Sequence, residues 1–156
     1  MRKLHLAFIP LLAVGVPLGA AGLSMGGAVG PPPVAITVYK TPQCGCCRAW
    51  VDHLRKHGFE VTTHDVDDIS AIKTKLGVPS DLGSCHTAVA GSYVVEGHVP
   101  AADIRKLLAT KPKVAGVAVP GMPVGSPGME VPGRPADTYH VVAFAKDGKR
   151  SVFAAH

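Results

Sequence analysis

The spacing of apolar and polar positions changes several times along this chain, and each change marks an element. Ile36 to Lys40 alternates and is rich in β-branched residues, which predicts a strand. Cys47, Trp50, Val51 and Leu54 then recur at helical spacing, predicting a helix to about His57 with Gly58 as its stop. Phe59 to His64 alternates again and reads as a second strand. Asp65, Asp67 and Asp68 form a turn, and Asp68 can cap a short helix with Ile69, Ile72 and Leu76 on one face. Gly77 followed by Val78-Pro79 ends that helix. Ser84 to Ala90 leads into a third strand, and a tight turn at Gly91 passes to a fourth from Ser92 to Glu96. Val99-Pro100 opens another helix carrying Ile104, Leu107 and Leu108, which Lys111-Pro112 closes. The predicted order is β-α-β-α-β-β-α, an α/β fold.

Between Pro112 and Pro135 the texture changes. Prolines at 112, 120, 123, 127, 132 and 135 alternate with glycines at 116, 121, 125, 128 and 133. That density predicts a long loop with neither a helix nor a central strand. Met122 and Met129 stand in its middle. Tyr139 to Phe144 and Arg150 to Phe153 then flank Asp147-Gly148, which predicts a C-terminal hairpin that ties the loop down at its far end.

The N-terminus is of another kind. Met1-Arg2-Lys3 is basic, and Leu4 to Ala21 carries no Asp, Glu, Lys or Arg. Small residues at Gly19-Ala20-Ala21, with Ala28 as a second option, suit a signal peptidase. Residues 1–21 therefore read as a secretory signal peptide cleaved between about 21 and 28. An uncleaved anchor is the rival, and it would be the chain's one membrane contact. Residues 22–34, rich in Gly and ending in three prolines, read as a linker, and 35–156 as the folded domain. A mature chain of about 130 residues suffices for one domain with a modest core.

Charge narrows the function only slightly. Losing Arg2 and Lys3 takes Lys+Arg from 16 to 14 against 11 Asp+Glu, so the net charge falls from +5 to +3. Basic residues do not cluster with aromatics, and there is one Trp. Nucleic acid is not an expected partner.

Cysteine placement changes the picture more. Three of the four cysteines lie in Thr41-Pro42-Gln43-Cys44-Gly45-Cys46-Cys47-Arg48, between the first strand and the first helix. A helix start favours thiolate over thiol there. An exported chain could instead form two structural disulfides. Adjacent Cys46 and Cys47 argue against that, because Cys85 is the sole partner elsewhere. Cys44 and Cys47 have the C-x-x-C spacing, and their position resembles that of the thioredoxin fold. A thioredoxin-like redox protein normally carries a cis-proline before its third strand. This chain has Cys85-His86-Thr87 there, a soft ligand followed by a nitrogen ligand. Cys44, Cys46, Cys47 and Cys85, or three of them with His86, could close a zinc site. Thiolates together with the thioethers of Met122 and Met129 would select Cu(I) instead, and closely spaced thiolates can bridge more than one ion. Each has a plainer use: Cys85 and the methionines as core filling, His86 as a strand residue. His53 and His57 read as a solvated helix face beside Arg55 and Lys56. His64, His98 and His140 stand alone and receive no role.

Taken together, Tyr39-Lys-Thr-Pro-Gln-Cys44-Gly-Cys-Cys47, Ser84-Cys85-His86-Thr87, Val99-Pro100 and Pro120-Gly-Met122-Pro-Val-Gly-Ser-Pro-Gly-Met129-Glu130 resemble the exported CopG-type copper-resistance proteins with a C-x-C-C motif. The resemblance covers about Ile36 to Phe153. It implies a thioredoxin-like domain in the bacterial periplasm that binds copper through Cys44, Cys46, Cys47 and Cys85, with His86, Met122 and Met129 in support. It also implies cycling between Cu(I) and Cu(II), and exchange with other periplasmic copper-handling proteins. The expected function is sequestration or relay of Cu(I), one ion or several, in copper resistance. No catalytic residue and no organic cofactor is assigned, and a copper oxidoreductase is the one enzymatic form of this reading. The rivals are a thiol–disulfide oxidoreductase using Cys44 and Cys47, and a zinc-stabilised module.

Overall fold

The protein is described here by a computed structural model that covers residues 33–156. The expected signal peptide, and the expected linker up to Pro32, lie outside the described residues. Among the described residues no helix is long and apolar enough to cross a membrane.

The chain forms β1 (Val34–Lys40), α1 (Gly45–Lys56), β2 (Phe59–Asp65), α2 (Ile69–Leu76), a single 3-10 turn (Ser80–Leu82), β3 (Thr87–Ala90), β4 (Tyr93–Glu96), α3 (Ala101–Thr110), β5 (Gly116–Ala118), β6 (His140–Phe144) and β7 (Arg150–Ala155). The sheet order is β2-β1-β3-β4-β5-β6-β7. β1 pairs parallel with β2, and β3 runs antiparallel to both β1 and β4. This is the expected thioredoxin-like α/β arrangement, extended by β5 and the C-terminal hairpin. β1 begins two residues before the predicted start, inside the expected linker.

Alternation along the strands divides the core between two faces. Val95, Val117 and Val141 join Ile36 and Val38 against Trp50 and Leu54 of α1 and Ile104 and Leu107 of α3. Val94, Ala118 and Phe144 join Leu82 on the opposite face, with Leu76 at the end of α2 packed against them. The helix ends follow the sequence signals. Asp68 Oδ1 accepts from the backbone N–H of Ser70 at 2.9 Å and of Ala71 at 3.1 Å. Gly77 closes α2 in the left-handed region at φ 73°. α3 starts after Pro100, which offers no capping side chain. His53 of α1 fills that gap, its Nε2 accepting from Ala101 N–H at 3.2 Å. His53 is thus a tie between two helices, not the solvated residue its neighbours suggested.

The Pro/Gly-rich stretch departs from expectation at one point. β5 lies in the middle of the sheet, parallel to β4 and antiparallel to β6. Residues 113–119 hold no proline, so their N–H groups are free to pair on both sides. Gly116 permits the close approach. A Cβ there would overlap the Val94 carbonyl and come within 2.8 Å of the Phe144 ring. Gly116→Ala should therefore destabilise the fold by about 1–3 kcal/mol, the usual cost of overpacking. Gly45→Ala, whose Cβ would meet only Arg48 Nη2 at 3.8 Å, should show no comparable loss. Urea unfolding of the two variants checks this.

Candidate metal centre

The cysteine turn sits where β1 delivers the chain to α1. Cys44 is the N-cap, and its Sγ accepts from Cys47 N–H at 3.3 Å. One helical turn brings the Cα atoms of Cys44 and Cys47 to 5.3 Å, well inside disulfide range, and the two are joined. Cys46 and Cys85 are the free cysteines. Cys46 Sγ lies 3.6 Å from Cys44 Sγ and 3.8 Å from Cys85 Sγ. All four sulfurs fall within 4.8 Å of one another.

Cys85 and His86 reach the turn from the opposite side. They precede β3, and the β3 pairing with β1 holds them beside the end of β1. His86 is fully buried, packed on Trp50 with ring centroids 4.3 Å apart. Its Nδ1 is 3.3 Å from Cys85 Sγ, and its Nε2 has no hydrogen-bond partner. A buried imidazole nitrogen without a partner is costly unless something is bound there.

A second imidazole completes the group. His98 Nε2 stands 3.0 Å from Cys85 Sγ, and its Nδ1 is 2.8 Å from the Pro127 carbonyl. That carbonyl can only accept, so Nδ1 carries the proton and Nε2 presents its lone pair to the cluster. Metal-binding histidines commonly have such a backing carbonyl. Cys85, His86 and His98 form a donor group in their own right, sharing Cys85 with the four sulfurs. The sequence reading left His98 without a role. The signal was the hairpin register: Thr87 faces Glu96 and Ala90 faces Tyr93, and continuing that pairing sets Cys85 opposite His98.

Burial shapes the electrostatics. Desolvation pushes the His86 pKa well below the usual imidazole range, helped by His98 and by Lys73. Desolvation also lowers His98. The Cys85 thiol is pushed up to about 12, first by desolvation and then by Cys46. Before any metal binds, Cys85, His86 and His98 thus form a neutral group of thiol and imidazole.

The Pro/Gly/Met loop lies directly on the cluster. Besides Pro127, Gly128 at φ 85° packs so closely on α1 that a Cβ would come within 2.8 Å of Cys46 O and Trp50 N. Internal bonds hold the loop's shape, with Gly125 N–H donating to Met129 O at 3.0 Å and Met129 N–H to Ser126 O at 2.8 Å. Val124 N–H reaches Asp137 Oδ2 at 2.9 Å. Met129 is half-buried on this lid, while Met122 is 53 % exposed.

A thioredoxin-like domain with a thiol–imidazole cluster under a fixed loop is the class that fold and site define. The comparisons agree. Residues 36–80 match the glutaredoxin family, and residues 82–129 match a family described as a protein of unknown function, DUF411. None of the curated proteins compared matches the chain. Two solved structures, named copper resistance protein CopG Form 2 and Form 1, are each 52% identical to it. Each match covers 80% of this chain and 98% of the other, with TM-scores of 0.76 and 0.75 respectively. The chain belongs to the CopG family of copper resistance proteins.

The three lowered histidines, His86, His98 and His53, bind fewer protons folded than unfolded below the ordinary imidazole pKa. Their contribution to stability is complete above about pH 6.5 and is lost as pH falls below it, at up to about 1.4 kcal/mol per pH unit for each of the buried His86 and His98, and less for the half-buried His53, which solvent screens. The metal-free protein should thus unfold at lower urea at pH 5.5 than at pH 7.5. An unchanged midpoint would show that these imidazoles are not buried neutral.

Proposed function

We propose that this protein holds Cu(I) for sequestration or relay in copper resistance, through the thiolates of Cys44, Cys46, Cys47 and Cys85 together with His86 and His98. The observation that carries the reading is the gathering of four sulfurs and two buried imidazoles around Cys85. Thiolate-rich sets favour Cu(I), and neutral imidazole serves it as well. Four sulfurs this close can bridge more than one ion. Met129, on the lid, and Met122, more exposed, are candidates for a further thioether contact. Residues 1–21 support export to the periplasm by a cleaved signal, with 35–156 as the working domain.

The disulfide gives the site a redox dimension. While Cys44 and Cys47 are joined, two of four thiolates are withheld. Two electrons from a thiol or phosphine reductant, with two protons from the thiol or from water, return them as thiols and leave a disulfide or a phosphine oxide behind. In the reverse direction the two thiolates can give one electron each to two Cu(II) ions, leaving a disulfide and two Cu(I) ions. Cycling between the copper states balances in that form. Cys85, with its thiol pushed up to about 12, must release a proton on binding, so affinity should rise with pH.

An anaerobic titration against a chromophoric Cu(I) chelator tests this. Phosphine-reduced protein should retain Cu(I), and the disulfide form should bind much more weakly. Cys46→Ser should cost more than the about 10–100-fold typical of residues that only support a ligand. Loss of all copper from the reduced protein to a moderate competitor would contradict the proposal.

The disulfide itself favours a second reading, a thiol–disulfide oxidoreductase working through Cys44 and Cys47. On that reading Cys46→Ser keeps turnover in an insulin-reduction assay. Absence of turnover in both wild type and variant would remove it.

A further inference from the structure

The cluster depends on Cys85 and His86, yet neither lies within a strand. Both occupy the short segment between the 3-10 turn and β3. A buried carboxylate spans that segment. Glu96, at the end of β4, is fully buried. Its Oε1 accepts from Ser84 N–H at 2.6 Å, on one side of Cys85-His86. Its Oε2 accepts from Thr87 Oγ1 at 2.7 Å, on the other side. Lys73 of α2 pairs with Oε1 and donates to Thr87 Oγ1 at 3.0 Å. The Lys73 side chain is 16 % exposed, although α2 has no buried residue of its own. Ser84 in turn packs on Gly97, where a Cβ would come within 2.6 Å of its side chain, and its Oγ donates to Gly121 O at the root of the lid.

A buried ion pair is a poor way to gain stability, because desolvation consumes most of the attraction. What this one offers is geometry. One rigid carboxylate, held by β4, fixes the residues before and after both donors. β4 also leads directly to His98, so the same strand end sets three donors.

We propose that Glu96, held in place by Lys73, is a positioning residue for copper: it clamps the Ser84–Thr87 segment so that Cys85 and His86 meet Cys46 and His98 at binding distance. This rests on the copper reading above. The clamp acts through hydrogen bonds at both ends of the segment, and the charge serves to hold the carboxylate there.

Three variants test it. Glu96→Val with Lys73→Met removes both charges and both hydrogen-bond arms while keeping bulk. Thr87→Val removes one arm with almost no change of shape, and remains informative if the double variant fails to fold. Glu96→Gln with Lys73→Met keeps an acceptor for Ser84 N–H and a donor to Thr87 Oγ1, and so conserves the clamp without charge. The first should lower Cu(I) affinity about 10–100-fold, the range found for residues that orient metal ligands. Thr87→Val should give a smaller loss in the same direction, and the Gln/Met pair should restore affinity to near wild type. The copper–thiolate absorption bands should shift in the first two and match wild type in the third. A second readout needs no copper: in the reduced metal-free protein, peptide-resolved alkylation of Cys85 should accelerate severalfold in the first two variants and not in the third. Folded Val variants with wild-type affinity, spectrum and alkylation rate would overturn the clamp. So would equal loss in the Val/Met and Gln/Met pairs with none in Thr87→Val, which would assign the effect to charge. If wild type itself fails to bind copper, the copper reading falls, and the alkylation rates still decide whether Glu96 positions Cys85.

Discussion

The pairing of β3 with both of its neighbours is the constraint on which the cluster depends. β3 runs antiparallel to β1 and to β4. Its leading end therefore lies beside the last residues of β1, where the chain turns into the cysteine motif. The same end lies beside the residues that follow β4. Cys85 and His86 are brought to Cys44–Cys47 by the first pairing, and His98 is brought to Cys85 by the second. A slip of one residue in either ladder would turn the side chains to the other face of the sheet. The apolar alternation of Ile36, Val38, Ala88 and Val95, all buried in one core, guards against it.

The chemistry of the pocket follows from how dry it is. His86 and His98 are fully buried and held neutral by desolvation, and Cys85 stays a thiol. Burying formal charge without a partner would be costly, so the metal-free site carries little. On the copper reading proposed above, a soft cation would bring its own charge, displace thiol protons and find lone pairs already aimed. The lid contributes backbone more than side chains. Pro127 O fixes the His98 tautomer, and Gly128 seats the loop against α1 with no room for a side chain. The Cys44–Cys47 disulfide, while it is closed, leaves Cys46 and Cys85 as the free cysteines of the pocket.

Much of this was legible in the sequence. Period-two and helical spacing located the first four strands and the helices to within two or three residues. Asp68 and Gly77 bounded α2 as local signals should, and Asp147-Gly148 marked the hairpin. The C-x-C-C turn and Cys85-His86 stood out as donors because soft and nitrogen ligands replaced a proline expected in a redox fold. What stayed hidden was non-local. β5 is three residues long and is a strand only because β4 and β6 flank it, so no local pattern reveals it. His98 looks isolated along the chain and becomes a donor candidate through strand register. His53 looked solvated and instead caps α3 through Ala101. The clamp at Glu96 joins residues from α2, β3 and β4 that lie far apart along the chain. The disulfide was one of several uses open to Cys44 and Cys47, and spacing alone does not choose among them.

The central claim is that copper binds in a thiolate-rich pocket centred on Cys85 and that reduction of Cys44–Cys47 opens it. X-ray absorption at the copper and sulfur edges tests this most directly, on protein loaded anaerobically with Cu(I) after reduction and on the disulfide form treated alike. The account predicts Cu(I) in a mainly sulfur environment with a nitrogen contribution in the reduced protein, and loss of most copper–sulfur scattering in the disulfide form. Copper bound equally in both forms, or bound through nitrogen and oxygen alone, would contradict it.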